Sequence, residues 1–129
     1  MTDVESRVFT RVKEKIKDLC TNASTTLQSS PATFPYVYLR QIDNTGREYD
    51  LENNEAAVLA YYEVHAYTTG TGSLNINKKI FQLIDSEMLR MGFQRNYGPA
   101  PNNELIETKI TERVARYSRL VCVGDIENM

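Results

Sequence analysis

The stretch AAVLAYYEVHAYT, residues 56–68, constrains the fold more than any other part of the chain. Its apolar residues alternate with a period of two, which is the signature of a half-buried strand. Successive side chains on a strand point to opposite faces. Val58, Ala60, Tyr62, Val64 and Ala66 therefore share one face, and Leu59, Tyr61, Glu63, His65 and Tyr67 share the other. The first set suits a core. The second mixes aliphatic, aromatic and ionisable groups and suits a half-covered surface. A sheet built on this strand needs dense packing on one side only.

The covering layer is legible as two amphipathic helices. Over residues 3–20, Val4, Val8, Val12, Ile16 and Leu19 recur at helical spacing, with Phe9 beside them and Asp3 placed to cap the first turn. Over residues 73–91, Ile76, Ile80, Leu83, Ile84, Met88 and Met91 form a second stripe, and Gly92 ends it. Between the first helix and the long strand lie a polar connector at 21–31, a strand at 34–42 (FPYVYLRQI) and a loop at 43–55. That loop carries Asp43, Glu48, Asp50, Glu52 and Glu55, without the ligand spacing of a calcium loop. After the second helix come a short strand at 93–97 and a turn at 98–103. The tail fits a helix or a strand by periodicity. The branched residues before the glycine in RLVCVGD favour a strand from about 108 to 123.

With 129 residues, a net charge of −2 and a pI near 5.4, the chain reads as a single domain over 1–129 without the basic excess of a nucleic-acid coat. The ends, 1–2 and 125–129, are expected to be flexible. No apolar run approaches a membrane span, and the first residues lack the apolar centre of a signal peptide. The expectation is a protein made and kept in a cytoplasm, with Cys20 and Cys122 as reduced thiols.

The run TTGTGSLNINKK, residues 68–79, raises the question of a phosphate loop. A P-loop needs a lysine directly after its last glycine, and Ser73 stands there. A dinucleotide fingerprint needs a third glycine, and Asn75 takes its place. A turn into a helix, capped by Ser73 or Asn75, accounts for the same residues. His65 is the single histidine. With Glu63 on the same face it offers an acid–base pair, and it reads more simply as a sheet-surface histidine. Tyr36, Tyr38, Tyr61 and Tyr67 raise the possibility of base stacking, but no RNP-like string accompanies them. Arg113, Arg116 and Arg119 alternate faces if they lie on a strand. No catalytic, metal-binding or cofactor-binding residue emerges.

These elements assemble as an α+β fold: two layers, with two helices on one face of a four-stranded antiparallel sheet in the order α-β-β-α-β-β. The other face would show Leu59, Tyr61 and Tyr67 from the long strand. The last strand adds Val114, Leu120 and Cys122 on one side and Tyr117, Val121 and Val123 on the other. Uncovered apolar area of this kind marks an interface, so self-association is expected.

The layout resembles the tail-completion or tail-terminator proteins of long-tailed bacteriophages and prophages. The resemblance rests on the N-terminal helix leading to FPYVYLRQID, on YYEVHAYTTG, on the helix SLNINKKIFQLIDSEMLRMGF and on the final ITERVARYSRLVCVGD. It implies a non-enzymatic, cofactor-free structural protein that forms a ring, commonly a hexamer, on the head-proximal end of the tail tube. Its partners would be copies of itself, the tube protein and the head connector, with DNA passing through the lumen without specific binding and with no membrane involved. Its place would be the virion, after assembly in the host cytoplasm. Candidate subunit contacts are Leu59, Tyr61, Tyr67, Arg113, Tyr117 and Arg119, and a candidate partner loop carries Glu48, Asp50 and Glu52. The alternatives are a head-closure or neck adaptor, a ferredoxin-like nucleic-acid or regulatory module, and a small enzyme using His65 with Glu63.

Overall fold

The computed structural model describes residues 3–28, 31, 33–49, 55–101, 110–122, 124–125 and 129. Its elements run α1 (Glu5–Ile16), β1 (Asn22–Ser24), β2 (Tyr36–Tyr49), β3 (Glu55–Thr69), α2 (Ser73–Arg90), β4 (Gln94–Pro101) and β5 (Ile110–Cys122). The class is α+β, as expected, but the sheet has five strands in the order β1-β2-β3-β5-β4 and is mixed. The expected four-stranded antiparallel sheet lacks β1, which lies inside the supposed polar connector and pairs parallel with the start of β2. Three residues of which only Ala23 is apolar give no periodic signal, so only the ladder reveals them as a strand. The final stretch is strand from Ile110 to Cys122.

The segment 43–49 was expected in a loop and continues β2 instead. Asn44 and Gly46 carry turn chemistry, yet they pair with Ala60 and Val58 of β3. Register shifts between Gln41 and Asp43, and again on either side of Glu48, absorb the irregularity as bulges. Likewise 98–101, expected in a turn, belongs to β4, whose ladder with β5 skips residues between Tyr97 and Ala100. In both places tertiary pairing overrides local preference. The element order α-β-β-β-α-β-β and the antiparallel β3–β5 neighbours differ from the ferredoxin-like arrangement.

The helices cover one sheet face. Val4 at the N-cap, Val8, Val12 and Ile16 of α1 and Ile80, Phe81, Ile84 and Met88 of α2 share one buried cluster with Val37, Leu39, Val58, Ala60, Tyr62, Val64, Ala66, Ala115, Tyr117 and Val121. The strand residues in that cluster are those that alternation places together. α1 stops at Ile16, four residues short of the expected end. Leu19 falls off the stripe and is exposed, while Cys20 takes the buried position and its thiol is pushed up by burial. The N-cap of α1 is Val4, which supplies no side-chain bond, while Asp3, two residues before the helix, accepts the Glu5 amide at 3.0 Å through Oδ1. At the other end Asp125 is held, accepting the Cys122 amide and pairing with Arg119, and Met129 packs against the core.

The start of α2 differs from both caps considered for it. Gly72, in the left-handed region at φ 75°, is the N-cap and supplies no side-chain bond. Ser73 Oγ instead meets Thr111 Oγ1 at 2.8 Å. Ile76, expected in the stripe, is exposed, and the buried arc begins at Asn77. The Asn77 amide donates to the Ala66 carbonyl at 2.9 Å and lies 3.4 Å from Thr68 Oγ1 and the Thr111 carbonyl. This side chain ties the helix start to β3 and β5. Asn77→Ala is expected to cost about 1–3 kcal/mol, the usual loss for a buried hydrogen-bonded polar group. Asn77→Asp should cost more, because an acceptor-only carboxylate would face two carbonyls. Thermal melts of the two variants check the order.

Candidate functional site

The face without helices is organised as a grid. In successive rungs across β2, β3 and β5 the neighbours are Tyr36–Tyr67–Glu112, Tyr38–His65–Val114, Arg40–Glu63–Arg116, Asp43–Tyr61–Ser118 and Thr45–Leu59–Leu120. Cross-strand neighbours on one face are close enough to interact directly. The grid therefore places an aromatic zone at one end, a charged bracket in the middle and an apolar zone at the other end.

In the aromatic zone the rings stack in series. Tyr36 lies 5.5 Å from Tyr67, Tyr67 lies 6.2 Å from His65, and His65 lies 5.5 Å from Tyr38, all near parallel. The segment after β1 folds over this end. The Tyr36 hydroxyl meets Ser24 Oγ at 2.8 Å and accepts the Gln28 amide at 3.0 Å. Burial, then the charge and hydrogen bond of Glu112, push the Tyr67 phenol upward.

The bracket centres on Glu63, whose side chain is only 4% exposed. Arg40 Nε donates to one carboxylate oxygen at 3.0 Å and Arg116 Nε to the other at 2.9 Å. His65 Nε2 lies 2.6 Å from Glu63, and its Nδ1 lies 3.0 Å from Glu112. A neutral imidazole has one N–H, so both contacts are hydrogen bonds only when both ring nitrogens carry a proton. Burial pulls the Glu63 pKa upward, but the hydrogen bonds from His65 and Arg116 and the charges of His65 and Arg40 outweigh it. The carboxyl is held below its ordinary value of 4.5. The sign follows from linkage. The folded state favours charged Glu63, so its stabilisation is complete above the ordinary value and is lost as the pH falls below about 4.5 through the folded-state pKa. Glu63→Gln should flatten the acid limb of a stability-against-pH curve; equal limbs in both proteins would contradict the bracket.

Arg40, Glu63, His65, Tyr97, Val114 and Arg116 line an open hollow of about 220 Å³. Tyr97 of β4 forms one wall, with the Arg116 guanidinium 5.3 Å from its ring centre. The His65–Glu63 pair, read from sequence as possible acid–base machinery, is thus engaged on all sides. The imidazole bridges two carboxylates, and the Glu63 carboxylate receives three partners.

The residues expected at subunit contacts divide between the faces. Leu59, Tyr61 and Tyr67 lie half-buried on the helix-free face. Tyr117 does not, and this corrects its placement at a contact surface: it is fully buried under the helices, with its hydroxyl donating to Asp85 at 2.9 Å. Arg113 and Arg119 share that helix-side face at its margins, donating to the carbonyls of Pro99 and Met91. The alternation of Arg113, Arg116 and Arg119 holds, with Arg116 alone on the open face. Glu48 lies on β2, against its expected place in a loop, whereas Asp50 and Glu52 lie outside the described residues. The uncovered face is also less uniformly apolar than expected, because its centre is charged. Its apolar part is the Leu59–Leu120 end, where Leu120 is 47% exposed.

Sequence reasoning missed Arg40 and Glu112 and did not link Arg116 to Glu63. A signal was present for Arg40, the charged residue inside the run FPYVYLRQI, but not for Arg116, which shares its strand with Glu112, Arg113 and Arg119. Among the described residues no helix is long and apolar enough to cross a membrane. No protein-family model matches this chain, and no curated protein matches it.

Proposed function

We propose that this chain is a virion structural protein of a long-tailed phage or prophage: a tail terminator or tail-completion subunit. It forms a ring, hexameric by the resemblance in layout, that ends the tail tube at its head-proximal side and joins tail to head. The observation that carries this reading is a sheet clothed by helices on one side only. Its open face ends in the apolar patch of Leu59, Tyr61 and Leu120. A ring of identical copies hides such a patch against a different surface of the next subunit. In this reading the protein makes no bond and breaks none; it packs against its own copies, the tube protein and the head connector, and DNA crosses the lumen without specific contacts.

The test is assembly. Purified protein mixed with the tail-tube protein encoded beside it should yield tubes capped at one end in negative-stain electron microscopy, and tube elongation should stop. Tubes that grow on unchanged, with the protein left free and monomeric, would overturn the reading. Rings that bind the head connector and ignore the tube would place the chain one ring nearer the capsid, as a neck adaptor.

A further inference from the structure

We propose that Arg40 and Arg116 form a two-pronged receptor on the open sheet face for the carboxylates of an acidic segment of a partner polypeptide. The site stands independently of the ring reading. Each arginine reaches Glu63 through Nε alone. Among the described residues neither guanidinium has another hydrogen bond, so both Nη groups of each remain available. Their side chains are 47% and 52% exposed, while the carboxylate that orients them is buried. Two guanidinium forks are thus held in place before any ligand arrives, which lowers the ordering cost of binding. A fork of two parallel N–H groups matches a carboxylate.

The surroundings select among anions. Glu63 cancels one of the two positive charges, and Glu112 lies nearby on the far side of His65. Little net charge remains, so recognition rests on the geometry of the two forks, each of which fits a single carboxylate, and not on the uncompensated strips of lysine and arginine along which polyphosphates bind. The rings beside the hollow offer poor platforms for bases, because Tyr38 already stacks on His65 and Tyr97 lies against Arg116. Tyr97 and Val114 instead supply apolar walls that suit the methylene groups of a glutamate side chain.

The test uses the full chain, ¹⁵N-labelled, titrated with a hexaglutamate peptide at low salt and followed at the arginine Nε–H resonances and by anisotropy of labelled peptide. The Arg40 and Arg116 resonances should move most, and hexaglutamine should not bind. A variant carrying Arg40→Gln, Glu63→Gln and Arg116→Gln together removes the forks without stranding a buried charge. It should bind hexaglutamate about tenfold or more weakly, the loss of at least one charge-assisted hydrogen bond. Arg40→Lys with Arg116→Lys keeps the charge but not the fork and should fall between. No hexaglutamate binding to the wild type, undiminished binding to the triple variant, or tighter binding of an oligothymidylate than of hexaglutamate would each overturn the proposal.

Discussion

Gly98→Ala is expected to destabilise the protein by about 3–5 kcal/mol, combining overpacking with left-handed backbone strain. Gly98 sits in β4 at φ 74°, a conformation that side-chain-bearing residues adopt at a cost. A Cβ there would lie 2.1 Å from the Val114 carbonyl oxygen, 2.9 Å from the Ala100 nitrogen and 3.1 Å from the Ala115 Cα. All three are backbone atoms, so no side chain can swing aside. The strand itself must lift from β5, taking Tyr97 off Arg116. Gly72 is the control: its φ is also positive, at 75°, but nothing lies within 4 Å of the added carbon. Gly72→Ala should therefore carry only the conformational term, about 1–2 kcal/mol. Urea denaturation of both variants separates the contributions. Equal midpoints would mean that β4 does not pack on β5 as described.

Tyr62→Ala should be comparably severe, at about 3–5 kcal/mol, the range for emptying a large aromatic site in a core. Tyr62 is fully buried near the middle of β3. Its ring meets Phe93 edge-on, with centroids 5.5 Å apart and planes at 79°, which places β3 against the exit of α2. Its hydroxyl donates to Gln41 Oε1 at 2.9 Å. Burial, reinforced by the charges of Asp3 and Glu5, raises its pKa, so the phenol remains a neutral donor through the physiological range. Tyr62→Phe removes only that hydrogen bond and should cost about 0.5–1.5 kcal/mol, because Gln41 is not fully buried. The gap between the two variants measures the ring. A Phe variant as damaged as the Ala variant would show that the hydrogen bond dominates.

Much of the architecture was legible because it is local. Alternation in 56–68 placed Tyr62 inward and His65 outward, and the four-residue steps of α1 placed Val4, Val8, Val12 and Ile16 in the core. The errors occurred where pairing over long distance overrode local preference. Asn44 and Gly46 look like a turn, but β3 holds them in a strand through bulges. Asn22–Ser24 looks like a connector, but β2 recruits it. Tyr117 shares its parity with Ala115 and Val121, but both faces of β5 carry apolar residues, so parity alone does not say which face is packed. The helices above it then completed its burial.

The sequence by itself determined which side chains share a face, because that depends only on the geometry of consecutive residues. Only the tertiary structure decided which of them meet. Arg40 lies 23 positions before Glu63, and Arg116 lies 53 after it. Their convergence on one carboxylate depends on the registers of two strand pairs. Each register is set by burial of the opposite, apolar face, since a slip of one residue would turn that face to water. The charged bracket is thus positioned by the core beneath it.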